Sequence, residues 1–156
     1  MESFHLNIFA SYFQFVVQDE KSETEIAHLW NPQTIRDLFI SASDIVGIGT
    51  VRDLTVPVGI DILDHPLANN DERAWDQIIE CSITVPSGRL VVTGVTDYFP
   101  DAKRIPLEPG KYRVRILYGK LDSVSSDGLD GEDNYKLQIW KSDADDGIEF
   151  IKRWRK

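Results

Sequence analysis

Three histidines, His5, His28 and His65, and one cysteine, Cys81, carry the side chains best suited to nucleophilic, acid–base or metal chemistry near neutral pH. Catalysis of the Ser-His-Asp or Cys-His kind needs a histidine within hydrogen-bond reach of its nucleophile. Here the histidines fall in a strand pattern, at a loop start and in a polar loop, and none belongs to an HExxH or GxSxG motif. Gly47 and Gly49 in VGIGTV are followed by neither GK[ST] nor a third glycine, so they predict a close strand approach rather than a phosphate cradle. The acids in SSDGLDGEDN and SDADDGIE do not reproduce the alternating D-x-D-x-D-G of a calcium loop. With a single cysteine, on the apolar parity of its strand, no intrachain disulfide or multi-thiolate site can form. The residues thus predict a protein that is not an enzyme, with no catalytic residues, metal or cofactor.

Charge is the stronger chemical signal. The 156 residues hold 17 Lys and Arg against 26 Asp and Glu, a net charge of −9, and four of the bases (Lys152, Arg153, Arg155 and Lys156) close the chain as a basic tail. Such a body is a poor binder of phosphate backbones, so nucleic acid is not the expected partner. Nine of the acids lie between residues 119 and 149: Asp122, Asp127, Asp130, Glu132, Asp133, Asp143, Asp145, Asp146 and Glu149. On the bland reading these loops keep the protein solvated. On the functional reading they form one carboxylate surface, across two neighbouring loops, that steers a basic protein into contact. Trp140, on the outward parity of its strand, is the expected aromatic anchor, and with Tyr98 and Trp75 it would equally suit a platform for a carbohydrate or other small ligand.

The elements that must position these groups are mostly strands. Period-two alternation runs through residues 5–19, 45–51, 56–62, 79–85, 89–95, 104–108, 111–119, 135–140 and 148–154. Residues 79–95 read as a hairpin about Pro86-Ser87-Gly88. One short helix is expected near residues 32–41, with Asn31 as its cap, Pro32 at the first helical position and Trp30 as a staple. The fold class that follows is all-β and mainly antiparallel: a two-sheet sandwich of about eight or nine strands, spanning residues 1–151 as one domain ahead of the tail 152–156. Phe13, Phe15, Ile79, Cys81, Ile83, Tyr112, Val114, Ile116, Leu137 and Ile139 are its expected core. The N-terminus is acidic and broken by polar residues, unlike a secretory signal, and no apolar run approaches a membrane span, so a cytoplasmic protein is expected.

The order Ser11-Tyr12-Phe13-Gln14-Phe15, then Trp30 and a helix with Ile35, then Ala42-Ser43-Asp44 leading to Ile48, and finally the Pro-Gly-x-Tyr turn at 109–112 resembles the ComJ family of DNA-entry nuclease inhibitors of competent bacteria. The chain departs from the family pattern in longer loops at 63–73 and 120–133 and in its basic tail, and no inhibitory residue is carried over. The resemblance implies a small bacterial β-protein that inhibits a nuclease by binding it, and the acidic charge fits equally an immunity-like protein that binds a basic toxin. A ligand-binding sandwich module is the alternative, and an unrecognised hydrolase a third.

Overall fold

Alternating apolar residues give most strands one face for burial, and among the described residues eleven strands form two sheets over a shared core. The computed structural model describes residues 1–68, 72–144 and 146–154. In chain order the elements are β1 (Glu2–Phe9), β2 (Gln14–Asp19), α1 (Pro32–Asp37), β3 (Phe39–Ala42), β4 (Ile45–Gly49), β5 (Thr55–Leu63), β6 (Gln77–Val85), β7 (Arg89–Gly94), β8 (Lys103–Pro106), β9 (Gly110–Gly119), β10 (Asn134–Lys141) and β11 (Glu149–Lys152). One sheet has the order β1-β5-β10-β9-β6-β11, the other β3-β4-β2-β7-β8. All described pairings are antiparallel except β5 with β10. The expected β-sandwich with one short helix is thus present. No helix among the described residues is long and apolar enough to cross a membrane.

Phe15, Ile79, Cys81, Ile83, Tyr112, Val114, Ile116, Leu137 and Ile139 are all buried between the sheets. Phe13 is not: it is 45% exposed. The stretch expected to be one strand is two, because the chain leaves the first sheet after Phe9, turns through Ser11–Phe13 and enters the second sheet at Gln14. That corner breaks the parity that would have sent Phe13 inward.

A second correction concerns residues 79–95. β6 and β7 do not pair; β6 lies between β9 and β11, whereas β7 lies between β2 and β8. The Pro86-Ser87-Gly88 turn therefore bridges the sheets as an arch. Asp19, 1% exposed, fastens it by accepting from the Ser87 N–H at 3.0 Å and its hydroxyl at 2.7 Å. Alternation reveals which face of a strand is buried but not which strand lies beside it.

The helix is shorter than expected. Asn31 caps it, its side-chain oxygen accepting from Gln33 and Thr34 N–H groups at 2.9 Å, and Thr34 Oγ1 accepts from the Asn31 N–H at 2.8 Å. It stops because Leu38 takes a left-handed conformation (φ 56°, ψ 37°), after which residues 39–42 continue as β3. Leu38 sits close over β4, where a Cβ on Gly49 would come within 2.9 Å of the Leu38 Cα. Gly47 gives Ile40 similar room, as the close-approach reading of these glycines predicts.

Candidate partner-binding surface

β9 and β10 are joined by residues 120–133, at the same end of the sandwich as the β1–β2 corner, the β4–β5 connection and the C-terminal end of α1. Four links hold these pieces together. Tyr12 N–H donates to Asp53 Oδ1 at 2.8 Å, Thr50 N–H to the Phe13 carbonyl at 2.9 Å, Asp53 N–H to the Gly128 carbonyl at 3.0 Å, and the Tyr118 hydroxyl to the Leu38 carbonyl at 2.7 Å. Gln77 adds a fifth, its amide donating to the Asp37 carbonyl at 2.8 Å, so α1 is anchored to the six-stranded sheet through its last turn.

What these links present is apolar. Tyr12 is 71% exposed and Ile35 58%, and with the half-exposed Phe13 they border two cavities that meet along Phe13, Ile35 and Leu38. The first, of about 400 Å³, reaches Trp30, whose indole N–H donates to Gln14 Oε1 at 3.0 Å. The second, of about 340 Å³, reaches Val51, Leu121, Val124 and Trp154. Phe9, Leu54, Val95, Tyr98 and Leu129 are also exposed around this end. Soluble proteins seldom leave large apolar side chains gathered in this way unless something covers them. Tyr12 and Phe13 both have φ near 60°, a conformation that costs an L residue roughly 1–2 kcal/mol, and core packing cannot explain it at Tyr12, which is mostly in solvent.

The acids expected to form one surface do not lie together. Residues 120–133 precede β10 and residues 142–148 follow it, so the two loops flank opposite ends of an eight-residue strand, roughly 25 Å apart at the usual rise. Asp122, Asp127, Asp130 and Glu132 are exposed beside the apolar groove. Asp122 accepts from the Trp154 indole at 3.2 Å, and Asp127 from the Leu129 N–H at 3.0 Å. The Ser125 hydroxyl and that N–H hold the Asp127 carboxyl below the usual carboxylate range. Asp130 and Glu132 have no cation paired with them among the described residues. Asp143, Asp146 and Glu149 are exposed at the far end, and Asp145 lies outside the described residues.

Two expected contact residues are withdrawn from solvent. Asp133 is fully buried: Arg52 Nε lies 2.8 Å from its Oδ1, too poorly aligned for a hydrogen bond but close enough for an ion pair, and the Tyr135 hydroxyl donates to Oδ2 at 2.6 Å. Tyr135 in turn accepts from the Val51 N–H at 3.1 Å, and burial together with the Asp133 charge pushes its phenol far above the usual value. Trp140 does point out of the sandwich, but only 5% of it is exposed. The Arg115 guanidinium sits 5.2 Å over its ring and donates to the Leu67 carbonyl at 3.0 Å, so Arg115 covers that face and ties Leu67 to it. Neither Asp133 nor Trp140 can meet a partner without local unfolding.

The histidines and the thiol are not brought together. His5 is exposed on β1, His28 in the turn Ala27–Leu29 and His65 after β5, while Cys81 is buried. Among the described residues no three His, Cys, Asp or Glu side chains gather as metal ligands. On Lys152 and Arg153 the tail is folded back, with Lys152 Nζ on the Glu72 carbonyl at 2.9 Å and Arg153 on Asp37 at 3.2 Å; Arg155 and Lys156 lie outside the described residues.

This two-sheet architecture is shared with solved proteins. The crystal structure of ComJ from Bacillus subtilis, inhibitor of the DNA degrading activity of NucA, matches with a TM-score of 0.64 and 15% identity, over 91% of this chain and 96% of that one. The protein of crocagin biosynthetic gene J matches at 0.60 and 18%, over 90% and 97%. No protein-family model and no curated protein sequence matches the chain. At these identities the likeness is one of fold, and the ComJ fold expected from the sequence is the one the chain adopts.

Proposed function

We propose that this chain is a protein inhibitor that binds a basic partner protein, with a DNA-degrading nuclease as the partner class. The observation that carries the proposal is the exposed apolar groove of Tyr12, Phe13 and Ile35 banked by the acidic segment 122–132. An apolar centre with a charged border is how protein interfaces are built, the centre supplying affinity and the border orientation and encounter rate. The fold likeness to a named nuclease inhibitor supports the class of partner. Residence in the cytoplasm, bacterial origin and the absence of catalysis belong to the same proposal. Its test is DNA degradation by purified NucA, and by any basic nuclease recovered with the protein from its source cell, with the inhibitor added up to tenfold excess. Loss of activity near equimolar ratio is expected; undiminished degradation by each nuclease at full excess overturns the proposal.

A second reading, a module for a carbohydrate or other small ligand, has one observation in its favour: the Gln14 amide and the Trp30 ring meet in the 400 Å³ cavity. Saturable quenching of tryptophan fluorescence by mono- or disaccharides, with nuclease activity untouched, would favour it.

A further inference from the structure

We infer that the occupant of the groove is a single segment of the partner that carries one aromatic side chain between Lys or Arg residues; the inference rests on the partner-binding reading above. Three features of the groove specify that chemistry. The two cavities, about 400 and 340 Å³, meet along Phe13 and Ile35, so they accept a bulky side chain and its neighbour rather than a flat surface. The walls are Tyr12, Phe13, Trp30 and Trp154, whose ring faces favour both aromatic packing and cations.

The charge on the banks is one-sided. Asp127, Asp130 and Glu132 rise on the side of the β9–β10 connection, and none is paired with a cation among the described residues. Arg36 of α1 also lines the second cavity, but its guanidinium donates to Gln33 Oε1 at 3.1 Å within its own helix. A segment with basic residues flanking an apolar anchor satisfies both floor and bank. A second copy of this chain, with net charge −9, would bring acid against acid. The groove is also fixed in advance: Asp53 holds Tyr12, and the Phe13 ring lies against Gly128, where an added Cβ would stand 3.3 Å from it. Ordering costs on binding are correspondingly small.

The test is an NMR titration of the full chain with three capped pentapeptides: one Trp between four Arg, the same peptide with Ala for Trp, and the Trp peptide with Glu for every Arg. Saturable shifts of Tyr12, Phe13, Trp30, Ile35 and Val124 are expected with the first. The Ala peptide should bind at least about tenfold more weakly, as loss of an aromatic anchor does, and the Glu peptide should leave the spectrum unchanged. Ile35→Ser and, separately, the triple change Asp127→Asn, Asp130→Asn, Glu132→Gln should each weaken the first peptide at least about fivefold. Shifts confined to residues 143–149, equal binding of all three peptides, or none at all would overturn the inference. Peptide binding in the groove without inhibition of any nuclease leaves this inference standing and removes the reading it rests on. Nuclease inhibition that survives both variants does the reverse.

Discussion

Tyr12 and Asp53, 41 positions apart in the chain, are joined by a 2.8 Å hydrogen bond from the Tyr12 backbone N–H to the Asp53 carboxylate. That bond fixes a left-handed tyrosine (φ 60°, ψ 30°) at the corner where the chain changes sheets. Since the Tyr12 side chain is mostly in solvent, little burial opposes its removal. Tyr12→Gly should therefore be neutral or stabilising by up to about 1 kcal/mol, whereas Tyr12→Val should destabilise by more than about 1 kcal/mol. Asp53→Ala should cost about 1 kcal/mol through the lost hydrogen bond. Urea denaturation of the three variants measures all of this, and a Tyr12→Gly protein clearly less stable than wild type would show that the corner is not strained.

Asp133 behaves differently from the acids around it. Its carboxylate is buried with Arg52 and the Tyr135 hydroxyl, so Asp133→Ala leaves a largely buried guanidinium and a buried phenol without their partner. The expected loss is about 3 kcal/mol, at the low end for a broken buried pair because Arg52 retains some access to water. Asp130→Asn, a few residues away in solvent, should stay within about 0.5 kcal/mol of wild type. Equal effects of the two changes would contradict the burial of Asp133.

Stability should fall on the acid side. Glu20 lies between Arg89 at 2.6 Å and Arg104 at 3.1 Å, and those hydrogen bonds hold its carboxyl below the ordinary 4.5. Glu108, beside Lys141, is shifted the same way. A carboxyl whose folded pKa is depressed contributes stability that is present above its unfolded pKa and lost as pH falls through the folded one. The urea midpoint should thus drop below about pH 4.5, and less steeply in Glu20→Gln. Lys141 has the opposite sign: Glu108 raises it above 10.5, so its contribution is complete below that pH and disappears as pH rises through the folded value.

Cys81 should be silent while the protein is folded. Burial between the sheets pushes its thiol up to about 12, chiefly through desolvation, and leaves it 1% exposed. At pH 8 a disulfide reagent should label it at least about a hundredfold more slowly than in denaturing urea, because reaction waits on opening. Labelling at the rate of the unfolded chain would place the thiol outside the core.

The sequence conveyed the strands and most of the core because period two survives wherever a strand is straight and one face is buried. Phe13 escaped for the converse reason: residues 8–17 are apolar on both parities, and that excess, which one strand does not require, was the sign of a corner serving two sheets. Asp133 is written like its neighbours in SSDGLDGEDN, and only the fold brings Arg52 beneath it. Alternation puts Trp140 on the outward face, but the cover over that face is invisible to it, since the cover comes from Arg115, itself tied to the distant carbonyl of Leu67. The groove itself joins Tyr12, Ile35, Val124 and Trp154 from four separate stretches, a closeness no local pattern encodes.

Because the acidic loops sit at opposite ends of β10, only one of them can border the groove, and association kinetics with a nuclease that meets the proposed function would tell them apart. Charges at an interface border act mainly through the association rate, and that rate carries the salt dependence. Replacing Asp122, Asp127, Asp130 and Glu132 by their amides should slow association by about an order of magnitude at low salt and flatten its dependence on ionic strength, with little change in dissociation. The corresponding change at Asp143, Asp146 and Glu149 should leave the slope nearly intact. Truncating the floor with Phe13→Ala should act the other way, raising the dissociation rate by about tenfold or more while association changes little. Stopped-flow measurements at two ionic strengths separate the three variants. If the distal trio moved the salt slope as far as the proximal four, the partner would be engaging the other end of the sandwich.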